Sequence, residues 1–285
     1  MGVKQDSFPR FCLIFQKFII LNCLLQINGL SNEAFRPTGR IVGGSNAAVN
    51  SCPYIVSIQY KSQHFCAGSI INENWILTAA HCLANKQQAM GSELVAGSIN
   101  VAGTSTTVQR RSISYYIVHD LYTGGSSPYD IGLVYIKNAF QWTSAVKAVS
   151  LPASGVVSTG NAVLYGWGSI SKTNVAKYPS TLQVAKNIPI ITLPVCEKAL
   201  GAKGNDVHNT NLCTGPLTGG ISICTSDSGG PLVQTNSKSQ TILIGIVSWG
   251  KLPCGQSDSP SVYVQVSSFI SKTIKLKIIM VIYKS

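Results

Sequence analysis

From Ile41 onward, short apolar runs alternate with clusters of Gly, Asn, Ser and Pro. The clearest runs are Tyr54–Tyr60, Trp75–Ala80, Gly132–Lys137, Ala162–Tyr165, Leu182–Ile191, Thr241–Trp249 and Ser261–Val266. Several alternate apolar with polar positions, and others are dense in Val and Ile. Both patterns suit strands, because branched side chains pack well on a pleated surface with one face on a core. An all-β fold with many turns is predicted. Periodicity leaves a sandwich and a barrel equally open. The stretch Pro152–Gly160 reads as a linker between two halves, and there is no internal repeat.

The two ends break this pattern. Phe18–Leu25 is an apolar run behind Lys17, with small residues following at Gly29 and Ser31. It reads as the apolar part of a secretory signal occupying residues 1–30, too short to span a membrane. In the tail, 272–285, the apolar run is again too short to span. Ile270, Ile274 and Ile278 share a helical face, but the β-branched residues make a mediocre helix. A truncated helix or a misread gene end is expected there rather than a membrane anchor.

Composition narrows the function classes. At 285 residues the chain suits one or two compact units, and only 11% of it is charged. The net charge of +12 is unevenly placed: residues 41–271 hold thirteen basic and eight acidic side chains, and the ends carry the rest of the excess. Nucleic-acid binding would want clustered cations among exposed aromatics, and only Arg110-Arg111 is paired, so no nucleic-acid partner is expected. Nine cysteines predict an oxidising compartment. None has zinc-ligand spacing, so neither a metal nor a cofactor is implied.

Three short runs carry the chemistry: Leu77-Thr78-Ala79-Ala80-His81-Cys82, Asp130-Ile131-Gly132-Leu133 and Ser226-Asp227-Ser228-Gly229-Gly230-Pro231. A serine hydroxyl is a poor nucleophile at neutral pH. It needs a base to take its proton and a buried acid to orient that base. Histidine suits the base because it titrates near neutral pH. His81, Asp130 and Ser228, in that order and with those neighbours, resemble the chymotrypsin/trypsin family of serine endopeptidases. His119 and His208 have no such context and read as surface or packing residues.

The resemblance covers 41–271 and implies two antiparallel β-barrels, about 41–150 and 151–271, with the active site in the cleft between them. It makes Ser228 the nucleophile, His81 the general base and then acid, and Asp130 the orienting carboxylate. Arg40-Ile41-Val42-Gly43-Gly44 resembles the family's activation site, with 31–40 as propeptide. Cleavage after Arg40 would free an ammonium at Ile41 to pair with Asp227, which Ser57 and His64 hold in related precursors. The implied disulfides are Cys66–Cys82, Cys196–Cys213 and Cys224–Cys254. Cys52 is left over, as a buried inert thiol or as a link between chains.

The implied oxyanion donors are the backbone amides of Ser228 and Ser226, the latter standing where the family has glycine. Ser248 would support Asp130, while Trp249 and Gly250 would pair with the substrate backbone. Ser222 would form the pocket floor, with Ile223 beside it and Gly250 and Ser261 as walls. A neutral floor cannot compensate a buried guanidinium, so Phe, Tyr or Leu is expected before the scissile bond rather than Arg or Lys. Ile223 and Ser261 would shift the preference toward Leu, Met or smaller groups. Asp258 reads as a solvated loop acid. The expected protein is a secreted, extracellular endopeptidase of invertebrate digestive type with a chymotrypsin-like or elastase-like pocket. It is expected to be a monomer acting on protein and peptide substrates, switched on by an activating protease and open to protein inhibitors, with no membrane partner. The alternative is a catalytically weak or inactive protease-like binding protein, for which Ser226 and the atypical tail are the arguments.

Overall fold

The computed structural model describes residues 41–270, which fall in one compact unit. The expected signal (1–30), the propeptide with Arg40 (31–40) and the tail (272–285) lie outside the described residues. Two seven-stranded antiparallel sheets make up the molecule. The first holds β2 (Ile55–Tyr60), β3 (Gln63–Ile70), β4 (Trp75–Thr78), β5 (Ser92–Ala96), β6 (Gln109–Ser112), β7 (Tyr115–Val118) and β8 (Gly132–Tyr135). Their spatial order is β6-β5-β2-β3-β4-β8-β7. The second holds β9 (Asn161–Gly166), β10 (Gln183–Ile191), β11 (Asn211–Thr214), β12 (Pro231–Thr235), β13 (Thr241–Gly250) and β14 (Ser261–Gln265). They follow the order β10-β11-β14-β13-β12-β9, and β9 pairs back onto β10, closing a barrel. The short β1 (Ser45–Asn46) hangs on β10, so the chain starts on the second sheet before building the first.

The predicted runs become strands for the reason read from their side chains. Ile55–Tyr60 is buried along nearly its whole length because β3 and β5 flank it. By contrast Gln109–Ser112 has no apolar residue, and its burial alternates. It sits at the sheet edge, where arginines discourage pairing with another chain. Ile58, Ile76, Leu94 and Val134 are fully buried in a cluster that also takes in Tyr165, Trp167, Val184 and Ile246 of the second barrel. This cluster bridges the two sheets, whereas Leu164, Leu212, Leu232 and Tyr263 belong to a separate cluster inside the second. The Trp167 indole N–H donates to the Ile99 carbonyl at 3.0 Å.

Disulfides join Cys66 to Cys82, Cys196 to Cys213 and Cys224 to Cys254. The second ties α2 (Leu193–Leu200) to β11; the only earlier α-helix among the described residues is α1 (Lys86–Met90). Cys52 is free and buried, and burial pushes its thiol well above the ordinary range. That fits an inert packing residue and offers no surface thiol for a link between chains.

Candidate active site

His81 lies in a single 3-10 turn, Ala80–Leu83, directly after β4, and the Cys66–Cys82 disulfide fastens that turn to β3. Cys66, Cys82 and His81 are close enough to ligate an ion, but the two sulfurs are joined to each other and offer no thiolate. Asp130 enters just before β8 and is 1% exposed. Its carboxylate accepts from the His81 amide at 2.8 Å, from His81 Nδ1 at 2.7 Å and from Ser248 Oγ at 2.6 Å. A buried anion needs such donors, and these come from both sheets. With Nδ1–H committed to Asp130, Nε2 of the neutral ring is left as an acceptor.

The Ser228 loop is docked onto the first sheet. Ala67 N donates to the Ser228 carbonyl at 2.8 Å, and Thr78 Oγ1 donates to the Ala67 carbonyl at 2.7 Å. Gly229 makes this approach possible: its φ is +77°, and a Cβ there would lie 2.2 Å from Thr78 Oγ1. These contacts hold Ser228 against β3, the strand that the Cys66–Cys82 disulfide ties to the His81 turn. Among the described residues no hydrogen bond joins Ser228 Oγ to His81 Nε2; such bonds are commonly long until substrate binds.

Ser226 adopts φ +72°, the backbone conformation a glycine would supply. Its carbonyl accepts from His64 Nε2 at 3.0 Å, while His64 Nδ1 meets Ser57 Oγ at 2.8 Å. Removal from water pushes His64 down to about 4, so the ring is neutral, donating through Nε2 and accepting at Nδ1. Ser57 and His64 thus hold the Ser226 carbonyl and not the Asp227 side chain that the precursor role would need. Neither the Ser226 nor the Ser228 amide donates to another backbone group among the described residues.

Asp227 is fully buried, and its carboxylate accepts from Gly168 N at 2.7 Å and Cys224 N at 2.9 Å. Desolvation outweighs these two bonds and pushes its carboxyl up to about 7. A Cβ on Gly168 would lie 2.3 Å from the carboxyl carbon. The amide of Gly168 was missed in the sequence because backbone groups leave no side-chain signal; the Gly166-Trp167-Gly168 spacing was the available clue. Ile41 is fully buried, and Val42 bridges to Ser222, whose amide donates to the Val42 carbonyl at 3.2 Å. Arg40 lies outside the described residues.

A family model described as Trypsin matches residues 41–273. The chain belongs to the trypsin family. Lectizyme of Glossina austeni is 36% identical over 270 residues, covering 91% of this chain and 94% of that protein. Trypsin-1 of Astacus astacus is 34% identical over 233 residues, covering 80% of this chain and 95% of that protein. Ovochymase-2 of Mus musculus is 37% identical over 222 residues, covering 76% of this chain but only 36% of that longer protein.

Beside Ser228 this trypsin-family chain has a cavity of about 170 Å³, lined by Ile223, Cys224, Val247, Trp249, Gly250 and Lys251 among others. Ile223 reaches across it: the Ile223 Cγ1 atom lies 3.5 Å from where a Cβ on Gly250 would be. Ser222 and Ser261 are not in the lining, which departs from the floor and wall expected of them. The Ser222 hydroxyl donates to the Ile223 carbonyl at 2.6 Å, and Ser261 Oγ accepts from the Ile223 amide at 3.1 Å. Both hydroxyls are engaged away from the cavity, and the apolar Ile223 side chain lines it instead. Lys251 was not anticipated; its ammonium donates to the Ala199 carbonyl in the last turn of α2, at 3.1 Å. Asp258 is exposed, and no carboxylate lines the cavity. No helix among the described residues is long and apolar enough to cross a membrane.

Proposed function

We propose that this trypsin-family serine endopeptidase works through Ser228, His81 and Asp130, cleaving peptide bonds by way of an acyl-enzyme. The observation that carries the reading is the Asp130 carboxylate, which takes three hydrogen bonds, two from His81 and one from Ser248. His81 Nε2 takes the Ser228 proton as its oxygen attacks the scissile carbonyl. Asp130 stabilises the imidazolium that results, and the same proton then passes to the leaving amine. The Ser226 and Ser228 amides receive the developing oxyanion. The glycine-like φ at Ser226 supports this role and weakens the reading as a protease-like protein without turnover.

The substrate residue before the scissile bond is apolar, with Leu and Met favoured over Phe and Tyr. Ile223 narrows the cavity, and a desolvated Arg or Lys would find no carboxylate in its lining. Trp249 and Gly250 pair with the substrate backbone along the end of β13. The protein is secreted and made as a precursor, and cleavage after Arg40 supplies an ammonium at Ile41 for Asp227. Active-site titration of the activated chain with a serine-directed covalent reagent tests the mechanism, with Ser228→Ala as the unlabelled control. A peptide library tests the pocket: a profile led by Arg or Lys would overturn it.

A further inference from the structure

Tyr129, the residue before Asp130, carries φ +67°, a left-handed backbone uncommon for a bulky aromatic side chain. Ile131 N donates to the Tyr129 carbonyl at 2.7 Å, so residues 129–131 form a tight turn with Asp130 at its apex. The Tyr129 ring is clasped on several sides. It stacks on His119 at 5.0 Å and 15°, tilts against His208 at 5.4 Å and meets Phe269 edge-on at 6.2 Å. Phe269 also meets His119 edge-on at 5.4 Å. His119 follows β7 in the first sheet, and His208 precedes β11 in the second. Each imidazole is itself oriented locally: His119 Nδ1 accepts from Leu121 N at 3.2 Å, and His208 Nδ1 meets the Thr210 hydroxyl at 2.9 Å.

A strained residue persists only where its surroundings over-determine it. Here the surroundings are rings from segments that flank both sheets, and the residue they hold sits next to the carboxylate that must serve donors from both sides. We infer that Tyr129 is a positioning residue for proteolysis: the His119–Tyr129–His208–Phe269 clasp holds the turn that presents Asp130 to His81 and Ser248. This role rests on the proposed function of Asp130. It acts through geometry alone, since no ring of the clasp is among the groups that would touch substrate.

The test uses the activated enzyme with Tyr129→Phe, Tyr129→Asn and His208→Ala, and an apolar peptide substrate. Working sites are counted with a serine-directed covalent reagent, and kcat is expressed per titrated site. Asn tolerates the left-handed backbone but lacks the ring. Tyr129→Asn should lose about tenfold to a hundredfold in kcat per site, the scale on which small misplacements act. Its KM should stay within about twofold, because substrate contacts are untouched. Tyr129→Phe should restore the parental kcat, and His208→Ala should fall between. If the clasp only glues the sheets together, Tyr129→Asn would lower the number of working sites while kcat per site stayed parental, which overturns the inference. Should Tyr129→Asn fail to fold, a parental kcat per site in His208→Ala overturns it equally. A Tyr129→Phe variant as slow as Tyr129→Asn would assign the effect to the hydroxyl and also overturn it. A parent that takes no label and cleaves nothing overturns the function itself, and the positioning role with it.

Discussion

Replacing Ser226 by Gly tests the proposed oxyanion donor whose backbone conformation suits glycine. Ser226 holds φ +72°, where a side chain costs about 1–2 kcal/mol that glycine does not pay. Against this, glycine adds freedom to the unfolded chain, worth about 0.4–1 kcal/mol. The native-state relief is larger, so the variant should gain about 0.5–1 kcal/mol. For a domain of this size that raises the melting temperature by about 1–4 °C. The His64 bond to the residue 226 carbonyl involves no side chain of Ser226, so the amide should keep its direction. Turnover should therefore rise or stay the same, with any change in kcat rather than KM. Thermal melts and steady-state rates per titrated site measure both. A glycine variant that melted lower or turned over tenfold slower would refute the reasoning, because serine would then be an adapted part of the site.

Three further outcomes follow from the same geometry. Ser228→Ala should lose about 10⁶-fold in kcat with an unchanged melting temperature; cleavage at the parental rate would sink the assignment of the nucleophile. Ser248→Ala removes one donor from a buried carboxylate, a bond worth about 1.5–3 kcal/mol. Its kcat/KM should fall about tenfold to a hundredfold, and a parental value would mean that the two bonds from His81 suffice. The Asp227 carboxyl stands at about 7 in the uncleaved fold against an ordinary 3.8, so the folded chain binds its proton more tightly than the unfolded chain. Stability is then full below the lower value and declines as pH rises through the higher one, by on the order of 4 kcal/mol. Denaturant titrations from about pH 4 to about pH 8 should record this decline in the uncleaved chain. Asp227→Asn, or cleavage that places an ammonium on Ile41, should flatten it; an equally steep profile in the Asn variant would refute the cause.

Local patterns in the sequence determined the strands and the chemical identities at the site. Tyr54–Tyr60 and Thr241–Trp249 are legible because a pleated strand reads its own side chains, whereas Gln109–Ser112 is held at an edge by its partner and carries no apolar signal. His81, Asp130 and Ser228 stand out by their immediate neighbours, and the cysteine count predicts an oxidising compartment. What faces what was decided elsewhere. Ser57 and His64 are visible in the sequence, yet only the packed chain brings His64 to the Ser226 carbonyl. Ser222 precedes Ile223 in the sequence, but only the packed chain shows that the Ser222 and Ser261 hydroxyls bond elsewhere while Ile223 lines the cavity. Tyr129 looks like any residue before an aspartate until rings from segments flanking both sheets close on it. Short-range pattern constrains the backbone within a few residues, while a contact across a hundred positions depends on how separate sheets pack against one another, and no local pattern encodes that.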